Sequence, residues 1–275
     1  MEILTGNNIQ NFGLSKKEPR IIYTLENKKG SESSSVYINS NNERDLLFSS
    51  HEIGHQGFSI YEEEQKEVYV LTSARNDAYH ALYFHLNDGK LKSRKFIKFF
   101  DSGFYPVNET MPTISSNQKY LIVRGRLSPR RMIFRIYDFD TVKKIIKDSG
   151  DYVDLNSVYK YQWEMPVENL TDVEGELRPL QAISSDGDLI YLLFGNSKIN
   201  DKAIFVYSFS GALINYNTKV DIGKNRALSD GDGHFYEPEG LALSPTGKSL
   251  LILFVTGNGG KHFNRIFTID KSTLQ

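Results

Sequence analysis

The stretch LQAISSDGDLIYLLFGNSKINDKAIFVYSF (residues 180–209) contains a short apolar strand, a polar turn, a long apolar strand, a polar loop and a third apolar strand. Its turn, SSDGD, is rich in the residues that tight hairpins require. Its central run, LIYLLF, has the length and the β-branched and aromatic composition of a strand that is buried on both faces. The stretch therefore predicts one antiparallel β-sheet unit.

The same layout recurs along the chain. Units with a turn, a long apolar strand, a loop and a closing apolar strand lie at residues 56–86, 111–139 and 238–270, and a fainter unit lies at 21–48. Their starts are mostly about 60 residues apart, which suits a four-stranded blade of about 40–50 residues with a connecting loop. We therefore predict an all-β fold, a five-bladed β-propeller of antiparallel four-stranded blades, with residues 1–275 as a single domain. A β-sandwich is the alternative.

One segment departs from the strand pattern. DTVKKIIKDSG (residues 140–150) places Val142, Ile145 and Ile146 on one side of a helix. It ends at a glycine, which is a common helix stop signal. The sequence therefore predicts a short helix at this point.

The composition excludes several classes of function. The formal net charge is −1, so no global field steers the protein to nucleic acid or to an anionic membrane. The chain has no cysteine, which excludes disulfides, zinc–thiolate sites and thiol nucleophiles. It has neither a long apolar run nor a basic start followed by an apolar segment, so no membrane span and no classical signal peptide are expected. We expect a protein made in the cytoplasm and secreted or released without such a peptide.

Polar residues precede the first strand of four predicted blades, in EIGHQG, NETMP, EGELRPLQ and HFYEPEG. The first strand of a propeller blade lines the central channel, so residues just before it should gather at one end of that channel. The residues expected to converge there are His55, Gln56, Glu109, Glu176, Arg178, Gln181, Glu237 and Glu239. They form either a ligand-binding site or a polar plug that satisfies backbone groups of neighbouring blades.

Two histidines in this region, His51 and His55, have the four-residue spacing of a helical metal pair. Gly54 lies between them and the segment leads into a strand, so metal binding is not expected here. No other pattern calls for a metal or a cofactor. The glutamates of the predicted set could supply the two carboxyl groups of glycoside hydrolysis, although a propeller fold does not imply that chemistry. No catalytic residue is assigned.

A basic stretch, RGRLSPRRMIFR (residues 124–135), carries five arginines. Its loop end, around Arg130 and Arg131, could meet a phosphate-rich polymer through bidentate contacts. The alternative is a solvated blade edge. The glycine-rich GNGGKHFNR (residues 257–265) joins two strands and lacks the phosphate-loop pattern, so it is not interpreted as a phosphate site.

Several stretches carry a family resemblance: GHQGFSI, MPTISSNQKYLIVRG, EPEGLALS and LLILFVTGNGGKHFNRIFTI. Over about residues 20–270 the chain resembles the five-bladed β-propeller of helveticin J-type bacteriocins and of receptor-binding proteins of some staphylococcal phages. The resemblance implies recognition of bacterial cell-surface glycopolymers such as wall teichoic acid, and the bacteriocin members kill related bacteria. It carries over no catalytic residue. The chain lacks the stem or trimerisation segment of the phage proteins, which favours a free-standing bacteriocin-like or lectin-like protein over virion attachment.

The expected function is therefore binding of a cell-surface polysaccharide or teichoic acid by a bacteriocin-like or receptor-binding propeller. Phe58, Tyr105, Phe235 and Tyr236 lie near the predicted blade starts and could stack on sugar faces. Two alternatives stay open. One is a glycoside hydrolase or lyase that uses the channel-end carboxylates, and the other is a protein-interaction scaffold in which the polar cluster is purely structural.

Overall fold

The computed structural model describes residues 1–27, 30–40, 43–63, 67–106, 109–166, 175–198, 202–229, 235–258 and 261–274. Within these ranges the strands form five separate sheets, four of them with four strands and one with five. Each sheet is one blade, and successive strands within a blade pair antiparallel. The predicted all-β, five-bladed propeller of four-stranded blades is confirmed.

The first third of the chain builds β1 and the first two blades. β1 (Glu2–Ile3) precedes blade 1. Blade 1 consists of β2 (Asn8–Leu14), β3 (Ile22–Asn27), β4 (Ser34–Ser40) and β5 (Glu43–Ser50). Blade 2 consists of β6 (Ile53–Glu62), β7 (Glu67–Ala74), β8 (His80–Asn87) and β9 (Lys90–Lys98).

The remaining blades follow in the same order. Blade 3 consists of β10 (Met111–Ile114), β11 (Tyr120–Ser128), β12 (Arg131–Asp138) and β14 (Tyr161–Pro166). The short β13 (Tyr152–Asp154) leaves blade 3 and pairs in parallel with β9 as the fifth strand of blade 2. Blade 4 consists of β15 (Leu180–Ser185), β16 (Leu189–Phe194), β17 (Ala203–Ser208) and β18 (Leu213–Asn217). Blade 5 contains β19 (Phe235–Leu243), β20 (Ser249–Asn258) and β21 (Lys261–Asp270).

The fourth strand of blade 5 is β1, which comes from the start of the chain. β1 pairs antiparallel with β21. The Met1 amino group donates to the Ile266 carbonyl at 2.9 Å, and the Ile266 N–H donates to the Met1 carbonyl at 2.8 Å. Arg265 Nε donates to the Glu2 carboxylate at 3.1 Å. This pairing closes the ring.

The inner strand of each blade lies at the centre of the ring. β2, β6, β10, β15 and β19 contact one another in that order, and β19 returns to β2. A hydrophobic core fills each interface between neighbouring blades. At the interface of blades 3 and 4, for example, Trp163 stacks between Phe134 and Tyr207, with ring centroids 4.4 and 4.9 Å apart. The blades are therefore held together by apolar packing.

The predicted helix is confirmed as α1 (Phe139–Asp148), which follows β12. The Asp138 carboxylate caps it by accepting a hydrogen bond from the Thr141 N–H at 2.9 Å. Phe139, Val142 and Ile146 are buried against the core between blades 2 and 3. The described ranges also contain α2 (Lys224–Ser229) and a 3₁₀ helix (Lys271–Leu274).

Blade 1 begins earlier than the predicted fifth unit at residues 21–48. Its inner strand is β2, and the predicted unit contains only the outer three strands. The residues of β2, NIQNFGL, mix polar and apolar side chains and include a glycine, so they do not read as a buried strand. Ile9 and Phe12 nevertheless supply its buried face.

Candidate functional site

The first residues of the inner strands meet at one end of the channel, here called the amino mouth. In blades 1, 4 and 5 the pairing of the inner strand with its neighbour skips one residue, which leaves Gln10, Gln181 and Glu239 as β-bulges. In blade 2 the register shift spans residues 54–57, which include Gln56. A β-bulge re-aims the side chain of the extra residue. Four blades therefore place an amide or a carboxyl group at related positions.

Gln56, Gln181 and Glu237 form a chain of polar contacts across the amino mouth. Gln56 Nε2 donates to Gln181 Oε1 at 2.8 Å, and Gln181 Nε2 donates to the Gly195 carbonyl at 2.8 Å. The same Gln181 nitrogen lies 3.5 Å from Glu237 Oε1. The structure thus brings together three members of the predicted set, one each from blades 2, 4 and 5.

Glu109 links the start of blade 3 to blade 2. Its Oε2 accepts hydrogen bonds from the backbone N–H groups of His55 at 2.6 Å and Gln56 at 3.4 Å. The carboxylate lies directly beside Gly54, where a Cβ atom would be 2.1 Å from Glu109 Oε2. The absence of a side chain at Gly54 is therefore what admits this carboxylate.

The His55 ring contacts blade 1. It is exposed, and its Nδ1 lies 2.7 Å from Asn27 Nδ2. His51 is also exposed and lies in the turn before β6. Among the described residues, no group of three or more His, Asp or Glu side chains is placed to hold a metal ion.

Two further members of the predicted set lie in the segment that leads to β15. Glu176 is exposed, whereas Arg178 is buried. Three other residues of the polar stretches fall outside the described ranges, namely Asn108, Glu174 and His234.

Glu237 and Glu239 are neighbouring carboxyl groups on β19. Burial raises the pKa of both groups, and the Glu237 charge raises the pKa of Glu239 further, well above its usual value. The Lys202 ammonium acts in the opposite direction on the pKa of Glu237. Lys202 is 1% exposed, and its Nζ lies 4.9 Å from the ring centroid of Tyr236. The amino mouth therefore holds a carboxyl group, that of Glu239, which favours its protonated form.

We expect Glu239→Gln to become progressively more stable than the unmodified protein as the pH rises from about 5 to 8. A carboxyl whose folded pKa is raised binds more protons in the folded than in the unfolded state, so its contribution to stability is lost as the pH rises through the folded pKa. Each unit of elevation corresponds to about 1.4 kcal/mol. Thermal unfolding measured across this pH range tests the expectation, with exposed Glu176→Gln as the control. Parallel pH profiles for Glu239→Gln and the unmodified protein would contradict it.

A fully buried arginine, Arg124 of β11, lies beside the amino mouth. Its Nη2 contacts Met111 Sδ at 2.7 Å, and its Nε and Nη1 have no hydrogen-bond partner among the described residues. Burial and the charge of Arg126 lower the pKa of Arg124, and the Glu109 carboxylate raises it. For the basic stretch at residues 124–135, the sequence interpretation considered only the loop end around Arg130 and Arg131 as a ligand contact. The overlooked signal is that Arg124 interrupts the apolar strand YLIVRG, where a charged side chain must be buried or re-aimed.

The opposite end of the channel, here called the carboxyl mouth, surrounds an open cavity of about 450 Å³. The last residues of all five inner strands line it. Its hydroxyl-bearing lining residues are Ser15, Ser59, Thr113, Ser115, Ser116, Ser184, Ser244 and Thr246. Within the described residues Lys16 is its charged lining residue, and no carboxylate lines it. None of the eight predicted site residues contributes to this cavity.

The sequence interpretation treated the residues of the carboxyl mouth as hairpin turns alone. The turns SSNQK, SSDGD and SPTGK all begin with serine, and the first turn of blade 1, SKKEP, does so as well. This recurrence was the available signal for a hydroxyl-lined mouth. No described helix has both the length and the apolar character needed to cross a bilayer.

Comparison with solved structures shows the same fold in two glycoside hydrolases. An engineered GH43 glycoside hydrolase with endo-xylanase and exo-arabinofuranosidase activity gives a TM-score of 0.57 at 8% identity, over 95% of this chain and 50% of that chain. A thermostable family-43 glycoside hydrolase gives 0.54 at 15% identity, over 96% and 90% of the two chains. TolB from Acinetobacter baumannii gives 0.47 at 12% identity, over 96% and 56%. The chain spans about half the length of the first and the last of these proteins, and identities this low show the fold alone.

The sequence comparison identifies a family. No curated protein sequence matches the chain significantly. A family described as the phage 5-bladed beta propeller receptor binding platform domain matches residues 9–268, and its blade number agrees with the observed fold. The match confirms the phage part of the resemblance and does not extend to helveticin J-type bacteriocins. The chain therefore belongs to the family of phage five-bladed β-propeller receptor-binding platform domains.

Proposed function

We propose that this propeller binds a bacterial cell-surface glycopolymer, such as a teichoic acid, as a receptor-binding module. The observation that carries the proposal is the open cavity at the carboxyl mouth, which is lined by serine and threonine residues from all five blades. Each serine or threonine hydroxyl can donate one hydrogen bond and accept two, as can each hydroxyl of a sugar or polyol. The receptor-binding description of the family supports a binding role.

The size and lining of the cavity suit such a ligand. A volume of about 450 Å³ lies within the usual range of small-molecule sites and accommodates a short segment of a polymer. Phe12 and Phe58, which are 2% and 5% exposed, also line the cavity and belong to the interblade cores beneath it. The inner strands that carry these residues are anchored in the interblade cores, which keeps the cavity preformed.

In this proposal the amino mouth has a structural role. Gln56 and Gln181 bond to each other, and the Glu109 carboxylate accepts from backbone N–H groups of blade 2. These contacts join different blades and pair polar groups at the junctions between them. We therefore assign the amino mouth to tying the blades together and the carboxyl mouth to the ligand.

The test is binding to purified bacterial cell walls with and without their teichoic acid. We expect the unmodified protein to sediment with intact walls. The variant Thr246→Trp, which adds an exposed ring at the rim of the cavity, should lose at least about 1.4 kcal/mol of binding free energy, which is a tenfold loss in affinity. Ser102→Trp, which adds the same ring at an exposed site away from the cavity, should bind normally. Gln56→Ala should lower the melting temperature and keep the affinity. Equal binding to both kinds of wall, or loss of binding only in Gln56→Ala, would contradict the proposal.

This function implies that the protein acts outside the cell that makes it. The resemblance to helveticin J-type bacteriocins adds an antibacterial role to the proposal. Growth inhibition of bacteria whose walls bind the protein measures that role. Absence of inhibition at saturating wall binding would restrict the function to receptor recognition.

Glycoside hydrolysis is the second candidate function, and the carboxyl pair on β19 favours it. Glu237 and Glu239 both have raised pKa values, and a general acid in glycoside hydrolysis requires such a group. The assay is release of reducing sugar from wall polymers by the unmodified protein, Glu237→Gln and Glu239→Gln. Release that the substitutions abolish would support an enzyme, and no release by the unmodified protein would exclude this candidate for those polymers.

A further inference from the structure

The face of blade 3 that packs on blade 4 carries two neighbouring arginines. Ile122 of β11 belongs to the apolar core between these two blades. Side chains two residues apart on a strand point to the same face, so Arg124 and Arg126 follow Ile122 on that face. Arg124 is 2% exposed, whereas Arg126 is partly exposed. Two guanidinium groups therefore extend this interface towards the amino side of the propeller.

Several hydrogen-bond donors of these arginines have no acceptor. Among the described residues, Arg124 Nε, Arg124 Nη1 and Arg126 Nε are buried and make no hydrogen bond. The other contacts are to neutral groups. Arg124 Nη2 lies 2.7 Å from Met111 Sδ, which is a weak acceptor, and Arg126 Nη1 donates to the Pro129 carbonyl at 2.9 Å. Neither arginine forms an ion pair in the described part of the chain.

Arg135 of β12 shows how the same blade satisfies a buried arginine. Its Nε donates to Gln162 Oε1 at 2.8 Å. Its Nη1 donates to Asn156 Oδ1 at 2.7 Å and also to the Phe99 carbonyl. Buried donors without such acceptors are rare and costly, and a bound ion or water is a usual explanation for them. The Arg124 donors are therefore available to a ligand.

The charges around Arg124 sum to a positive value. Burial and the charge of Arg126 lower the pKa of Arg124 to about 9, and the Glu109 carboxylate raises it. A guanidinium with this pKa is still charged at neutral pH. Glu109 is instead bound by the backbone N–H groups of His55 and Gln56. Two guanidinium groups and one carboxylate leave a net charge that a single monovalent anion neutralises.

We propose that a small monovalent anion, such as chloride, binds to Arg124 and Arg126 between blades 3 and 4. Their unpartnered N–H groups donate to the ion, and hydrogen bonds between ionised groups are stronger than neutral ones. The ion must leave water to reach Arg124. Because desolvation is expensive for charged groups, a monovalent ion is favoured over sulfate or phosphate. The partly exposed Arg126 marks the side from which the ion enters.

This inference is independent of the proposed function, because neither arginine lines the cavity at the carboxyl mouth. It predicts that the ion stabilises the junction of blades 3 and 4. A buried charge without a partner destabilises the folded state, and a bound counter-ion removes that penalty.

The experiment measures the melting temperature of the full chain as chloride replaces gluconate, a bulky reference anion, at constant ionic strength. An ion that binds only the folded protein raises the melting temperature as its concentration rises above the Kd. We expect the unmodified protein to gain about 3 °C or more between about 1 and about 300 mM chloride. Arg124→Met should show no gain. At low chloride it should also be the more stable protein, because an apolar side chain replaces an unpaired buried charge.

Two further variants control for folding and for general salt effects. Arg126→Met should reduce the chloride gain, and it decides the question if Arg124→Met does not fold. Arg130→Met changes an exposed arginine in the turn between β11 and β12 and should keep the full gain. Sulfate in place of chloride should not give a larger difference between the unmodified protein and Arg124→Met.

The sole tryptophan of the chain gives a second measurement. Trp163 pairs with Phe134, and Phe134 pairs with Arg124, so the three lie in one cross-strand row of blade 3. At a temperature where both proteins are folded, chloride should change the tryptophan emission saturably in the unmodified protein and not in Arg124→Met.

Four outcomes would overturn the inference. They are equal chloride gains in the unmodified protein and Arg124→Met, a full gain in Arg126→Met, an equal loss of the gain in Arg130→Met, and a larger effect of sulfate. None of them bears on binding to cell walls, which tests the proposed function separately.

Discussion

Replacing Gly57 by alanine should lower the free energy of unfolding by about 3 kcal/mol or more. Gly57 has φ of +80°, a left-handed conformation that costs an alanine about 1–2 kcal/mol. An added Cβ would also lie 2.8 Å from Met111 Cα and 2.9 Å from Pro112 Cδ. Met111 and Pro112 belong to the inner strand of blade 3, so relief of the clash requires two blades to separate. Thermal and urea unfolding with a far-ultraviolet signal measure the effect.

The chain supplies a matched control for this change. Gly89 has φ of +71° and no atom within 4 Å of an added Cβ. Gly89→Ala therefore introduces a similar conformational strain without the clash, and should cost only about 1 kcal/mol. At about 2–4 °C per kcal/mol for a chain of this size, the two melting temperatures should differ clearly. Equal losses in the two variants would show that the approach of blades 2 and 3 is not a tight constraint.

Removal of residues 1–6 should destabilise the propeller by about 3 kcal/mol. The deletion removes the backbone hydrogen bonds between Met1 and Ile266 and the buried side chain of Ile3. It also leaves Arg265, which is 5% exposed, without the Glu2 carboxylate. A buried charge that loses its partner is costly. Breaking a buried ion pair typically costs about 3–5 kcal/mol. We expect the lower value here because the Glu2 side chain is about one-third exposed.

Two substitutions test the same closure without shortening the chain. Ile3→Ala removes a side chain that is 9% exposed, whereas Leu4→Ala changes a neighbour that is 82% exposed. Only the first should lower the melting temperature appreciably, because only Ile3 packs in the core between blades 5 and 1. Unchanged melting temperatures in Ile3→Ala and in the deletion would show that β1 does not contribute to stability.

Most of the fold could be predicted from the sequence because each blade repeats a local pattern. The long second strands, such as LIYLLF, and the serine-rich turns before them are visible within one window of the chain. β1 could not be found in this way, since two residues show no periodicity and their partner is β21. The start of blade 1 was misplaced because β2 mixes polar and apolar residues. Ring closure is thus the part of the fold that only the three-dimensional arrangement reveals.

The two mouths of the channel differ in how far the sequence reveals them. Alignment of the blade starts brought Gln56, Gln181 and Glu237 together, and these three do contact one another or approach closely. Gln10 was missed with the rest of β2, although IQNFGL matches HQGFSI at the glutamine and the phenylalanine. The cavity at the carboxyl mouth depends on the diameter of the closed ring. No local pattern encodes that diameter, so its serines could be interpreted only as turn residues.

The contact between Glu2 and Arg265 joins residues that are 263 positions apart. During synthesis β1 precedes β21 and cannot pair with it until β21 has been made. Blades 1 to 4 can collapse in order as they appear, but the ring stays open, and once β21 has formed its outer edge stays unpaired until β1 pairs with it. Such an edge invites pairing with other chains. The closing step should therefore be late, slow and the point at which folding competes with aggregation.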